Sequence, residues 1–202
     1  MPLRTVKPVI EGNPMKVIHV KAVKQREACL ARLCAEVYGQ QAGLTPLVIF
    51  AGTRRVLFAQ EAARLLALVD NQGAPQALAL LVLDEAGEGM TVRLSCSLNN
   101  DIEARRRLIK ELSLKAPLRV EIDDPYDEAF YQSCGLTRWF DGPDNQRIGL
   151  GAKHPASDAS ELTNTLSIDE QAILRSFKHD AKSFEEDKQR FVEGLAAFPE
   201  TL

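Results

Sequence analysis

A chain of 202 residues, 45% of them hydrophobic, is long enough to bury a full core, and one domain with an appendage is the natural expectation. Its formal net charge of −3 excludes a general attraction to nucleic acid or to anionic membrane. No apolar run approaches a membrane span and no signal-like apolar stretch follows Met1, so a cytoplasmic protein without nucleic-acid or membrane partners is expected.

In chain order, residues 1–14 hold three prolines, a glycine and an asparagine and are expected to form an extended arm. Lys16 to Val23 alternates as a strand does, with Val17, Val20 and Val23 among lysines. Gln25 to Gln41 repeats its apolar residues, Leu30, Leu33, Cys34, Val37 and Tyr38, at a period near 3.6 and meets Gly43; this predicts a helix. Pro46 to Glu61 is open between a second helix and an irregular lid, because Gly52 interrupts it. Arg64 to Val69 and Gln76 to Leu83 are apolar runs joined by a polar loop with Gly73, which predicts a hairpin. A loop from Asp84 to Gly89 leads to a strand at Thr91–Ser97. Ile102, Leu108, Ile109 and Leu112, with a stop at Pro117, mark an amphipathic helix before the strand Leu118–Ile122. Such a strand-helix-strand unit is a parallel crossover. A short helix to Gly135 and terminal strands near Leu136–Phe140 and Arg147–Gly151 follow.

The segment Ala129-Phe130-Tyr131-Gln132-Ser133-Cys134-Gly135-Leu136, followed by Arg138-Trp139, resembles the late helix-to-strand motif of the GNAT superfamily of acyl-CoA N-acyltransferases. That motif ends Tyr-x-x-x-Gly-Phe, with Tyr131 on its tyrosine, Gly135 on its helix-ending glycine and Leu136 here in place of Phe. The order of elements over residues 15–153 is similar to the GNAT order as well. The resemblance implies an α/β (α+β) fold, a GNAT-like mixed central sheet with helices on both faces. It also implies acetyl transfer from acetyl-coenzyme A to an amine of a small molecule or protein, with Tyr131 as the acid that protonates the leaving thiolate. An acyl-CoA arm would lie along Arg93 to Ser97, so Leu94, Ser95, Cys96 and Ser97 are candidate cofactor contacts, with Asn100, Arg105 and Arg106 near the phosphates. Glu85, beside Asp84 and Glu88 ahead of the fourth strand, is the candidate base, although all three also suit a polar hairpin loop.

One stretch departs from the pattern. GNAT enzymes bind the pyrophosphate at a glycine-rich turn, Gln/Arg-x-x-Gly-x-Gly/Ala, whose backbone N–H groups close on the phosphates at a helix end. Here the turn reads Asn99-Asn100-Asp101-Ile102-Glu103 without a glycine, and its two acids complement the helix dipole themselves. Arg105, Arg106 and Arg107 either reach back to phosphates or form a solvated face, the commoner fate of such a run. Two alternatives to the transferase follow: a GNAT-fold binding or assembly module that has lost the coenzyme site, and a transferase drawing on a carrier-protein donor.

The four cysteines, Cys29, Cys34, Cys96 and Cys134, sit in apolar segments and never as Cys-x-x-Cys, while His19, His154 and His179 are scattered singly. Reduced, buried thiols and no metal site are expected. After a polar linker over residues 154–165, residues 166–202 are predicted to form a long amphipathic helix. Phe177, Phe184, Phe191 and Phe198 recur on it every seven residues, with Lys188 on the second line. Residues 155–202 carry five Lys/Arg against ten Asp/Glu, net −5, and the preceding 154 carry twenty against eighteen, net +2. The aromatic stripe must be covered, either by its own domain or by a second subunit in a homodimer.

Overall fold

The computed structural model describes residues 14–202; the arm expected over residues 1–14 lies, but for Pro14, outside the described residues. The apolar runs of the sequence become seven strands: β1 (Lys16–His19), β2 (Ala63–Val69), β3 (Pro75–Leu83), β4 (Met90–Ser97), β5 (Leu118–Ile122), β6 (Leu136–Asp141) and β7 (Arg147–Gly151). They form one sheet in the order β1-β2-β3-β4-β5-β7-β6. β4 and β5 are parallel and the other pairs antiparallel. The expected crossover is α3 (Ile102–Lys115), between β4 and β5. The fold is α/β with a GNAT-like mixed sheet, in the element order the resemblance implies.

Helices cover both faces. α3 and α4 (Asp127–Ser133) lie on one, where Leu108, Ile109, Leu112, Tyr131 and Cys134 meet Leu68, Leu81, Val92 and Val120. On the other, α1 (Val23–Tyr38) and α2 (Thr45–Gly52) bury Leu30, Leu33, Cys34 and Phe50 against Leu65, Leu78, Leu80 and Leu94. Val23 therefore opens α1 instead of ending a strand, and Gly39, at φ +70°, ends it before Gln41. The open question over Pro46–Glu61 resolves as helix: α2 continues into a π-helical turn, Thr53–Phe58. Gly52 does not interrupt it. A Cβ there would lie 2.4 Å from Ile168 Cδ1 and 2.6 Å from Ile173 Cδ1, so the glycine makes room for the C-terminal extension.

That extension is two helices instead of one long one, α5 (Glu170–His179) and α6 (Ala181–Ala196). The break falls at Asp180, whose side chain accepts the Ser183 N–H at 3.0 Å and caps α6. The aromatic stripe lies on its own chain. Phe191 meets Phe50 edge-on at 5.3 Å, Phe177 meets Phe184 at 5.2 Å, and Phe198 lies under the Arg32 guanidinium at 5.2 Å. Gly194 lets α6 approach α1, since a Cβ there would sit 3.0 Å from that of Ala31. Asp187, fully buried on the same seam, pairs with Arg54 and Arg55 of the π-helical turn. The stripe considered for a homodimer is thus occupied within one chain. Among the described residues no helix is long and apolar enough to cross a membrane.

Candidate functional site

The parallel pair β4 and β5 is joined by two rungs, Met90↔Leu118 and Thr91↔Arg119, and then parts. The gap has two causes in the sequence. β5 is drawn toward β7, with which Arg119 to Ile122 pair in full. β4 stays with β3 but slips register there: Leu80 faces Leu94 while Leu81 faces Val92, so Arg93 is an extra residue, a bulge that bends its strand. From the bulge onward β4 presents an unpaired backbone edge to the gap.

The bulge also decides which way the predicted contacts point. Leu94 and Cys96 face the core under α1 and α2, so only their backbone borders the gap. Ser97 stands opposite Ala77 of β3. Ser95 turns to the α3 side, where its Oγ accepts from Arg105 Nε at 2.8 Å. The same guanidinium donates through Nη2 to the Tyr131 hydroxyl at 3.1 Å and lies over the Phe130 ring, 4.4 Å from its centre. Ser95, Arg105 and Tyr131 thus form one wall of the gap. Tyr131 is held there because the turn after α4 passes through Gly135, whose φ of +97° a side chain would strain and where a Cβ would meet Ser113 Oγ at 2.9 Å. Arg138, after the motif, satisfies the carbonyls of Ala156, Gly151 and His154 at 2.6, 2.7 and 2.9 Å, which fastens the loop behind β7.

Arg106 turns away from the gap onto Glu103, at 3.1 Å, and onto Ser133, and Arg107 reaches the Met15 carbonyl. At the head of α3, Asn100 has φ +54°, so an asparagine takes the left-handed position that glycine usually fills. Asp101 accepts the Glu103 N–H at 3.0 Å. With that donor taken by a carboxylate, the helix end does not fit a diphosphate. Glu85, the candidate base, lies beyond the end of β4 remote from Ser95. It is exposed in the β3–β4 turn, where its N–H donates to the Asn164 carbonyl at 2.8 Å. Met90 to Ser95 alone spans roughly 16 Å of strand, so Glu85 does not meet Tyr131. Asp84 beside it is buried and accepts the Glu88 N–H at 2.9 Å.

The opposite mouth of the gap holds residues the sequence reading passed over. Arg119 and Glu121 point there from β5, Nη2 to Oε1 at 2.7 Å. Residues 163–167 cross it as a strap: Thr165 bridges Asp84, Leu166 N–H donates to the Leu83 carbonyl at 2.9 Å, and Arg119 Nη1 donates to the Thr163 carbonyl at 2.6 Å. Thr165 Oγ1 donates to Glu121 Oε1 at 2.8 Å and lies 2.7 Å from Thr91 Oγ1. The signal was the pattern Leu118-Arg119-Val120-Glu121-Ile122, because a strand flanked on both sides should read apolar throughout. None of the thiols is an activated nucleophile. Burial pushes Cys29, Cys34 and Cys96 up to about 12 and raises Cys134 as well.

No protein-family model and no curated protein matches the sequence. Among solved structures the chain is similar in fold to spermidine N-acetyltransferase from Vibrio cholerae in complex with CoA and spermine. The two share 13% identity over 69% of this chain and 97% of that one, with a TM-score of 0.43. It is similar also to an acetyltransferase of the GNAT family from Staphylococcus aureus, with 8% identity, 68% and 98% coverage and a TM-score of 0.46.

Proposed function

We propose that the chain transfers an acyl group from a thioester donor to an amine, with the donor's arm along the unpaired edge of β4 and Tyr131 as the acid. The observation that carries this reading is the parting of β4 from β5 after Thr91↔Arg119, with the Tyr131 hydroxyl held by Arg105 on the wall of the gap. An extended arm laid there supplies the backbone pairing that β4 lacks. The lone pair of the neutral amine attacks the thioester carbonyl, the C–S bond breaks with its electron pair on sulfur, the thiolate takes the Tyr131 proton, and the proton shed by the acylated nitrogen passes through solvent and restores the phenol. Arg105 suits that role: it donates to the phenol oxygen, so the hydroxyl's own proton is free for another acceptor. Its positive charge also compensates what the departing proton leaves behind. No covalent enzyme intermediate is needed, only positioning and proton transfer.

Acetyl-coenzyme A is the donor the resemblance implies, and the residues fit its arm but not its diphosphate. Affinity for the whole coenzyme is therefore low, and a donor presented by a carrier protein suits the same gap. A second reading, a binding module without catalysis, is favoured by the carboxylate-capped α3 terminus and by the strap across the other mouth. Release of free thiol from acetyl-coenzyme A, followed with a thiol reagent in the presence of mixed primary amines, separates the two. Amine-dependent release that Tyr131→Phe lowers supports transfer; no release from any thioester supports the binding module.

A further inference from the structure

The cleft beneath the strap, about 180 Å³ in volume, lies on the face of the gap opposite Tyr131, and its charged lining residues are Arg93, Arg119 and Glu121. Their placement follows from the sheet. The last rung is Thr91↔Arg119, so Arg93 on β4 and Glu121 on β5 flank the gap just past it. Arg119 and Glu121 neutralise each other at 2.7 Å. Glu121 Oε1 is taken by Arg119 and by Thr165, which leaves Oε2 without a partner among the described residues. Arg93 is exposed and makes no ion pair or hydrogen bond among the described residues. Arg119 is buried, and its Nε has no acceptor among the described residues. A buried donor left unmatched is costly unless a ligand oxygen supplies the acceptor. The cleft therefore offers a surplus positive charge with free donors on one side and a free carboxylate oxygen on the other. Its volume is below that of sites for drug-sized ligands.

We infer that this cleft takes a small zwitterion, a free α-amino acid, with its carboxylate on Arg93 and its amino group on Glu121 Oε2. The inference deepens the acyl-transfer reading and rests on it for the identity of this mouth as the acceptor side. A polycationic amine does not suit the site, because Arg93 repels it and Arg119 already holds Glu121. The strap gives the extension a place in recognition: Thr165 fixes one oxygen of Glu121 and thereby aims the other.

The test is thermal unfolding of the full chain in the presence of each proteinogenic amino acid, singly, beside its decarboxylated amine. At least one amino acid raises the melting temperature while its decarboxylated amine does not. Arg93→Gln, an exposed position where the parent fold is retained, weakens that binding roughly 10- to 100-fold, the worth of a charge-assisted hydrogen bond. Tyr131→Phe leaves it unchanged. If no amino acid shifts the melting temperature, or if Arg93→Gln binds as the parent does, the inference is overturned. Thiol release with other amines alone overturns it while sparing the transfer reading. Amino-acid binding without thiol release supports the cleft as drawn and removes the transfer reading.

Discussion

The guanidinium of Arg105, on the first turn of α3, donates to the hydroxyl of Tyr131, on α4, at 3.1 Å. The two residues are 26 positions apart, and the β4–α3–β5 crossover brings them together on one wall of the gap. If Tyr131 is the acid, Tyr131→Phe lowers turnover roughly 10²-fold or more, in the range of a positioned proton donor. Arg105→Gln lowers it less and leaves the phenol in place. Steady-state rates of both variants check this; equal rates for parent and Tyr131→Phe remove Tyr131 from the step.

The head of α3 predicts a second outcome. With Asp101 on the Glu103 N–H and no glycine in the turn, coenzyme A binds at best at about millimolar, near −4 kcal/mol. Replacing Asp101 and Glu103 by Gly and Ala frees a donor and removes two negative charges, so it tightens binding. A micromolar constant for the parent, measured by calorimetry, shows instead that the arginines hold the phosphates.

The seam between α6 and the body is tested at its one buried charge. Asp187→Ala leaves the half-buried Arg54 and the exposed Arg55 without their counter-ion, and because both guanidiniums can reach water the loss is about 1–3 kcal/mol. The paired change Phe184→Asp with Phe191→Asp puts charges against Phe50 and Phe177 and unseats the extension. Denaturant unfolding measures both; a double variant that melts as the parent does shows that the stripe contributes no stability.

A pH dependence follows from His154. It is buried, its Nδ1 accepts the Ala156 N–H at 3.2 Å, and Nε2 has no partner among the described residues. Burial is the main cause that lowers its pKa, with Arg119 and Arg138 adding and the Asp84 carboxylate opposing. The neutral ring is favoured in the fold. Its stabilisation is present above the unfolded value near 6.5 and is lost as pH falls from there through the lower folded value. Melting of the parent against His154→Gln across that window checks the sign, since the variant lacks this part of the slope.

Much of the fold was legible because long, one-period signals agree with their punctuation. Leu30, Leu33 and Cys34 recur at helical spacing, and Leu78 to Val82 lies between polar loops. The tail was read one break too long: Phe177 to Phe198 keeps its period across Asp180, and periodicity is blind to a cap that restarts a helix on the same seam. Asp187 and Gly194 share that seam because a pair of arginines and a close helix approach accept what an apolar count rejects. That Tyr131, Ser95 and Arg105 share one wall of the candidate site follows from the element order, whereas its other half was illegible. How many rungs join β4 to β5 depends on a bulge at Arg93 and on the pull of β7, both long-range effects. Glu85 drew attention as a loop acid, whereas Glu121 sat inside a strand, where the crossover and the strap of residues 163–167 make it part of the cleft.

The central claim is that the gap between β4 and β5 receives the arm of an acyl thioester, and calorimetric titration with acetyl-pantetheine and acetyl-coenzyme A tests it most directly. The predicted result is binding of both with similar constants, at about millimolar, since the arm is held and the diphosphate is not. Heat from neither thioester contradicts the claim.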